Sequence, residues 1–119
     1  QVRVLVMPTA PTEIYGVKTE SYAFDDQSAW PDGPFDMLIV DGPKGGGPGG
    51  KPYARFPTLP RLHEKLARGA LILVDDVFRD TELRAVQMWV RDGLVRHLGI
   101  SSVGKGLYVG RTLSNTAGA

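Results

Sequence analysis

Two short, continuous apolar segments constrain the fold of this chain more than any other feature of its sequence. Residues 35–40 (FDMLIV) and residues 70–74 (ALILV) are rich in branched apolar side chains, and each segment is followed by aspartate. Apolar segments of this length without alternation are typical of strands that are buried on both faces, as in a parallel sheet. Parallel neighbours are joined by right-handed crossovers, so the two segments predict an α/β fold.

Helices are expected where apolar side chains recur with helical spacing. In residues 58–68 three leucines fall on one face, with Thr58 as the expected N-cap and a glycine just past the end. In residues 81–92 a second apolar stripe includes Trp89, which we expect to anchor the core. The first of these helices lies between the two apolar strands and the second follows them, as the α/β alternation requires.

The two ends of the chain supply further strand patterns. Residues 2–7 (VRVLVM) predict a first strand, and residues 94–100 and 106–112 predict an antiparallel hairpin. Together with the buried segments they predict a mostly parallel sheet with an antiparallel C-terminal edge. The whole arrangement is expected to form part of one domain that covers residues 1–113.

Glycine and proline are concentrated in one segment. Residues 42–52 (GPKGGGPGGKP) contain six Gly, three Pro and two Lys, which predicts a flexible loop. Within it, residues 45–51 fit the G-x-x-x-x-G-K string of phosphate-binding loops, but Pro52 follows in place of Ser or Thr and no helix can begin there. A nucleotide hydrolase is therefore a minor alternative. The small polar residues 114–119 are expected to form a frayed tail.

Composition excludes several classes of protein. The 14 Lys plus Arg nearly balance the 13 Asp plus Glu, so no strong positive field favours nucleic acid. With no Cys, disulfides, thiolate metal sites and cysteine nucleophiles are all excluded. The apolar segments are far shorter than the roughly 18 residues that a membrane helix needs, and no signal peptide is visible. A cytoplasmic protein without nucleic-acid or membrane partners is expected.

Acidic residues follow both buried strands. Asp41 ends the first segment, and Asp75 and Asp76 end the second. In an open α/β sheet, ligands bind beyond the carboxyl ends of the strands, so these three side chains are expected on the functional edge. Three neighbouring carboxylates repel one another, and a hard divalent cation such as Mg²⁺ would neutralise them. The alternative is that all three only cap turns or bind loop amides.

Other candidate side chains lack the neighbouring residues that a catalytic motif would place at a fixed spacing in the sequence. His63 and His97 lack a neighbouring acid and nucleophile in sequence, and we expect them at the surface or in structural roles. Arg55 and Arg79 flank the glycine loop and the double acid, where each could bind an anion or pair with local carboxylates. Trp30, Tyr53 and Phe56 lie in loops, where each is a candidate for a substrate wall.

The motifs FDMLIVDGPKG and RFPTLPRLHEKLARGALILVDDVFRDTE, together with the Trp89 helix, resemble the C-terminal half of class I (Rossmann-like) S-adenosylmethionine-dependent methyltransferases. In that family a fourth strand ends in Asp, a fifth strand follows a helix, and the sheet closes with an antiparallel seventh strand. The chain is most similar to the metal-dependent small-molecule O-methyltransferases. This resemblance implies that Asp41, Asp75 and Asp76 bind the metal. Lys44 stands where the catechol-type members carry a general base, whereas Pro43 replaces the acid that sugar O-methyltransferases use.

The resemblance implies methyl transfer from S-adenosylmethionine to a hydroxyl of a small molecule or sugar. The glycine-rich first turn and the acid after the second strand, which hold that cofactor in the family, have no counterpart here. The chain is therefore expected to be a piece of a longer protein, to bind the cofactor weakly by itself and to be inactive alone. Its open sheet edge predicts self-association as a homo-oligomer. The rival hypothesis is a non-catalytic Rossmann-like binding or interaction module.

Overall fold

Residues 5–24, 30–43 and 50–113 are the part of the chain that the computed structural model describes, and they form six strands and two α-helices. A separate 3₁₀ turn, His63–Lys65, follows the first helix. In chain order the elements are β1 (Thr9–Ile14), β2 (Val17–Tyr22), β3 (Phe35–Val40), α1 (Thr58–Leu62), β4 (Leu66–Asp75), α2 (Asp80–Arg91), β5 (Val95–Ser101) and β6 (Leu107–Thr112).

The central sheet has four strands in the order β3-β4-β6-β5. Strand β3 pairs with β4 in parallel, as predicted, and β6 pairs antiparallel with both β4 and β5. The predicted C-terminal hairpin is therefore confirmed. Strands β3, β4 and β5 run in one direction, but the reversed β6 lies between two of them. The expectation of a mostly parallel sheet is accordingly corrected to a mixed sheet, because the last strand inserts inside the sheet rather than extending it.

Both helices pack on one face of this sheet and enclose the core. Alternate residues of β3 and β4 point toward the helices, and the side chains that meet there are buried: Val40, Ile72, Val74, Phe56, Leu59, Ala85, Val86 and Trp89. Trp89 is fully buried, and its indole Nε1–H donates to the Phe56 carbonyl at 3.0 Å. The prediction that Trp89 anchors the core is confirmed, because its ring packs in the core while its one polar atom is satisfied.

The first helix is shorter than the sequence pattern predicts. Helix α1 ends at Leu62 and the chain is already extended at Leu66, where the backbone ψ is 140°. Leu66 pairs with Phe35 at the start of the sheet, so this non-local pairing overrides the helical spacing of the leucines. Thr58 is not the N-cap either, since Pro57 occupies that position.

His63 lies inside the protein rather than on the polar side of a helix. It is buried, and its Nε2 lies 3.1 Å from the Leu94 carbonyl oxygen. Its role is thus structural, because it connects the turn after α1 to the start of β5. His97 remains exposed, as predicted.

The N-terminal region differs most from the sequence prediction. The described part of the predicted strand at residues 2–7 begins at Leu5 and has no regular structure, and its first residues lie outside the described range. Instead, β1 and β2 form an antiparallel hairpin. Its two-residue turn, Tyr15 and Gly16, has φ values of 51° and 77°, which match the positive φ angles that a tight hairpin needs.

This N-terminal hairpin docks on the region before and within α1. The Arg61 Nη2 donates to Thr12 Oγ1 at 3.1 Å, and the Thr19 hydroxyl donates to the Pro52 carbonyl at 2.7 Å. Ile14 and Val17, which flank the turn, pack against the core. The hairpin is therefore held by both polar and apolar contacts.

The opposite face of the sheet is less covered at β3. Met37 and Ile39 are 50% and 62% exposed, and β3 is the edge strand of the four-stranded sheet. Self-association at this edge stays a prediction. Among the described residues, no helix is long and apolar enough to cross a membrane.

Gly110 in β6 tests how tightly this sheet packs. A Cβ atom at position 110 would lie 2.6 Å from the Tyr108 hydroxyl oxygen and 2.7 Å from Val95 Cγ2, and both neighbours are buried. We expect Gly110→Ala to lower the free energy of unfolding by about 1–3 kcal/mol through overpacking, measured by urea denaturation. The control is Gly99→Ala in β5, where an added Cβ meets nothing within 4 Å. Equal losses in the two variants would contradict this packing.

Tyr108 makes the stability of the fold sensitive to alkaline pH. Burial raises the pKa of Tyr108 from 10.0 to about 12. The unfolded chain therefore loses this proton first, so the stabilisation is complete below the unfolded value and is lost as the pH rises toward the folded one. We expect the free energy of unfolding to fall by about 1 kcal/mol between about pH 9 and about pH 11 from this group. Tyr108→Phe should lack that component, and an unchanged pH dependence in this variant would refute it.

Candidate functional site

The parallel pairing of β3 and β4 brings three carboxylates together. Val40 pairs with Val74, so both strands end at the same edge of the sheet, where Asp41 follows β3, Asp75 is the last residue of β4 and Asp76 follows it. One carboxylate oxygen from each aspartate lies within 4.8 Å of the others. The structure thus brings together all three residues that the sequence singled out as metal ligands, and we call them the acidic cluster.

The backbone at Asp76 adopts a conformation that is uncommon for a residue with a side chain. Its φ is 54°, in the left-handed region, where Asp is one of the better tolerated residues. The Asp76 backbone N–H donates to Asp75 Oδ1 at 2.8 Å. The turn that directs the cluster is therefore stabilised in part by one of the cluster's own carboxylates.

A buried arginine, Arg55, lies next to the acidic cluster and binds the backbone on both sides of it. The side chain of Arg55 is only 4% exposed, and its Nε and Nη1 donate to the carbonyls of Pro43 at 3.1 Å and Asp75 at 2.8 Å. Pro43 lies in the segment that follows β3, and Asp75 is the last residue of β4. A single guanidinium therefore ties both segments together at the carboxyl edge of the sheet.

Two arginines also approach one oxygen of the cluster. Arg55 Nη2 and Arg79 Nη2 lie 4.0 Å and 3.6 Å from Asp76 Oδ2. Of the two functions that the sequence left open for these arginines, the structure favours pairing with local carboxylates. Three carboxylates against two guanidiniums leave a net negative charge, which a divalent cation would neutralise. Closely spaced carboxylate oxygens are the donor set that Mg²⁺ prefers, so the residues present fit this metal.

Two aromatic residues predicted to form a substrate wall belong to the core region instead: Phe56 is buried in the core, and Tyr53 packs against it. Lys44, the predicted general base, lies outside the described residues, as does most of the glycine-rich loop with its phosphate-loop string. His63 is buried next to β5, and His97 is exposed on β5. The roles suggested for Lys44 and for the loop therefore stay predictions.

A cavity of about 480 Å³ opens beside the acidic cluster. It is lined by Leu5, Met7, Tyr22, Phe24, Trp30, Ile39, Val40, Asp41, Gly42 and Thr58. Asp41 belongs to both the cavity and the cluster. Only Trp30 and Asp41 were singled out in the sequence as candidates for a site, because the lining comes from four segments that are distant along the chain.

Arg55 offers the clearest test of how the site is held. Replacing it by Met would leave two part-buried carbonyls without their donor, so we expect Arg55→Met to lower the free energy of unfolding by about 2–3 kcal/mol. The matched control is Arg79→Met. Arg79 is 33% exposed and contacts the same carboxylate, so its loss should cost less than about 1 kcal/mol. Chemical denaturation of both variants measures the difference, and similar losses would show that Arg55 does not hold the strand ends.

No protein-family model matches the chain, and a search of curated proteins finds no match.

Proposed function

We propose that this chain contributes the metal-binding part of an S-adenosylmethionine-dependent O-methyltransferase that acts on a hydroxyl of a small molecule. The observation that carries the proposal is the convergence of Asp41, Asp75 and Asp76 on one point of the sheet edge. Their carboxylates come from two neighbouring strand ends, where ligands of α/β sheets bind. Under this proposal the three side chains hold Mg²⁺.

The topology of the sheet supports the proposal. The resemblance to class I methyltransferases implies a last strand that runs antiparallel to its neighbours, and β6 does so between β4 and β5. An acid also follows each of the strands that correspond to the fourth and fifth strands of that family. The direction of the last strand and the positions of these acids therefore support the proposal.

Each residue of the site has a distinct task in the proposed reaction. The aspartates hold the metal, which when bound would stabilise the negative charge of a deprotonated acceptor hydroxyl. Arg55 keeps the two strand ends at a fixed separation, so the carboxylates stay preorganised. Lys44 is the proposed base that takes the proton of the acceptor hydroxyl. The donor's methyl group must then lie in line with that oxygen.

A second candidate function has its own supporting observations. Asp75 Oδ1 accepts the Asp76 backbone N–H, and Asp76 pairs with Arg55 and Arg79. These contacts suit a turn that is stabilised without any metal. They support a non-catalytic binding module in which the acidic cluster only shapes the edge of the sheet.

Asp75→Asn separates the two functions. A bound Mg²⁺ would lose a charged ligand, so we expect its affinity, measured by calorimetry on the 119-residue chain, to fall at least about tenfold. A turn cap tolerates Asn because the amide oxygen accepts the same backbone hydrogen bond, so stability should change little. Asp36→Asn is the matched control, since Asp36 is an exposed acid within β3.

Two results would reject the metal-dependent function. One is that Mg²⁺ does not bind the parent chain, or that it binds the parent chain, Asp75→Asn and Asp36→Asn with equal affinity. The other is methyl transfer that survives both EDTA and Asp75→Asn, in this chain or in any longer form of the protein that contains it. Either result would favour the non-catalytic module or a metal-free transferase.

A further inference from the structure

The two faces of the four-stranded sheet are covered unequally. In residues 70–75 of β4 and throughout β6, the residues that face the helices are buried, and the alternate residues are half-buried or exposed. Both described helices contribute to the core on the first of these faces. We call the other one the open face, and six apolar side chains lie on it: Met37, Ile39, Leu71, Leu73, Leu107 and Val109.

The apolar side chains of the open face form a continuous patch. Met37 pairs with Leu71. In the next row Ile39 pairs with Leu73, which pairs in turn with Val109. Directly opposed side chains of neighbouring strands lie about 5 Å apart, so these residues adjoin one another. Met37 and Ile39 are 50% and 62% exposed. An apolar patch of this kind on a sheet with a parallel pair points to a partner surface.

The open face carries opposite charges at its two ends. At one end Arg111 pairs with both Leu71 and Arg96, and the two arginines are exposed. At the other end Asp75 is the last residue of β4, and Asp41 follows β3. Leu71 and Asp75 are separated by roughly 13 Å along the strand. The face is therefore basic at one end, apolar in the middle and acidic at the other end.

A second copy of this chain complements such a face. A two-fold axis that lies between two facing sheets and runs across their strands turns one copy end for end. The basic end of each copy then meets the acidic end of the other. An axis along the strands would instead bring like charges together. Sheets with apolar faces also pack on one another when their strands are nearly aligned, so apolar packing and charge favour the same arrangement.

We propose that the open face forms a two-fold symmetric contact between two copies of this chain, sheet against sheet. In this dimer Arg111 of each copy approaches Asp75 of the other, and the apolar rows pack between these ion pairs. The face is small beside the roughly 800 Å² that each partner buries in a stable complex, so we expect a dissociation constant between about 10 µM and about 1 mM. The contact uses the face of the sheet, not its edge, and it does not depend on metal or methyl transfer.

Sedimentation equilibrium of the 119-residue chain in EDTA measures the association. We expect a reversible equilibrium between monomer and dimer. Ile39→Gln, in the middle row of the open face, should weaken the dimer at least about tenfold, because a symmetric interface loses each contact twice. The matched control is Val103→Gln. Val103 is 77% exposed in the turn between β5 and β6, outside the open face, so its replacement should leave the dissociation constant unchanged.

Arg111 tests the charge pairing. Arg111→Gln removes the charge, and we expect it to weaken the dimer roughly three- to tenfold at low salt, whereas Arg111→Lys should retain most of the affinity. Added salt should weaken the parent dimer and have little effect on Arg111→Gln. Arg91→Gln on α2, on the other side of the sheet, is the control. Because Arg111 Nη1 also donates to the Gly69 carbonyl at 2.8 Å, thermal denaturation verifies that each variant is folded.

Methyl signals in NMR distinguish the face of the sheet from its edge. As the concentration rises, we expect the methyl signals of Leu73 and Val109 to shift. Those of Val74 and Val86, which are buried on the helix side of the sheet, should stay in place. Association through a strand edge would instead shift the backbone amides of β3 or β5 and leave the methyl signals of the open face unchanged.

Three outcomes would overturn the inference. They are a chain that stays monomeric at about 1 mM, a dimer that Ile39→Gln and Val103→Gln weaken equally, and shifts that are confined to the strand edges. A monomer would mean that no second copy covers the open face. The proposed function is tested separately, by Mg²⁺ binding and methyl transfer, so either result can fail without the other.

Discussion

The parallel pairing of β3 with β4 is the constraint on which the rest of the site depends. It brings the carboxyl ends of two strands to one edge, so that Asp41 lies beside Asp75 and Asp76. Arg55 then donates to the carbonyls of Pro43 after β3 and of Asp75 at the end of β4, and its charge lies near Asp76. Burying a guanidinium is costly unless its donors are satisfied, so this arrangement couples the stability of the strand ends to the geometry of the acids.

Much of this arrangement could be predicted from local sequence patterns. The bounds of β3 agree with the prediction because a continuous apolar run ends at an Asp-Gly turn, and the bounds of α2 agree to within one residue. The acids could be expected to meet because parallel strands place their carboxyl ends together. The early end of α1 could not be expected, since only the distant pairing of Leu66 with Phe35 favours the extended chain there.

Weak turn signals and contacts between distant segments were beyond the reach of sequence patterns. The β1–β2 hairpin turns at Tyr15-Gly16, a weaker signal than Asn-Gly, and a proline interrupts its first strand. Arg55 binds backbone carbonyls, which any sequence could provide. The cavity beside Asp41 likewise combines residues that lie far apart in the sequence, from Leu5 to Thr58.

The central claim is that the acidic cluster binds a divalent cation, and paramagnetic line broadening by Mn²⁺ tests it most directly. Manganese accepts the same oxygen ligands as Mg²⁺ and broadens the NMR signals of nearby amides. We predict selective broadening at Asp41, Gly42 and Asp76. The amide of Ala67, at the other end of β4 and about 26 Å away along the strand, should keep its signal. Broadening that is absent, or centred on acids elsewhere such as Glu13 and Glu20, would contradict the account.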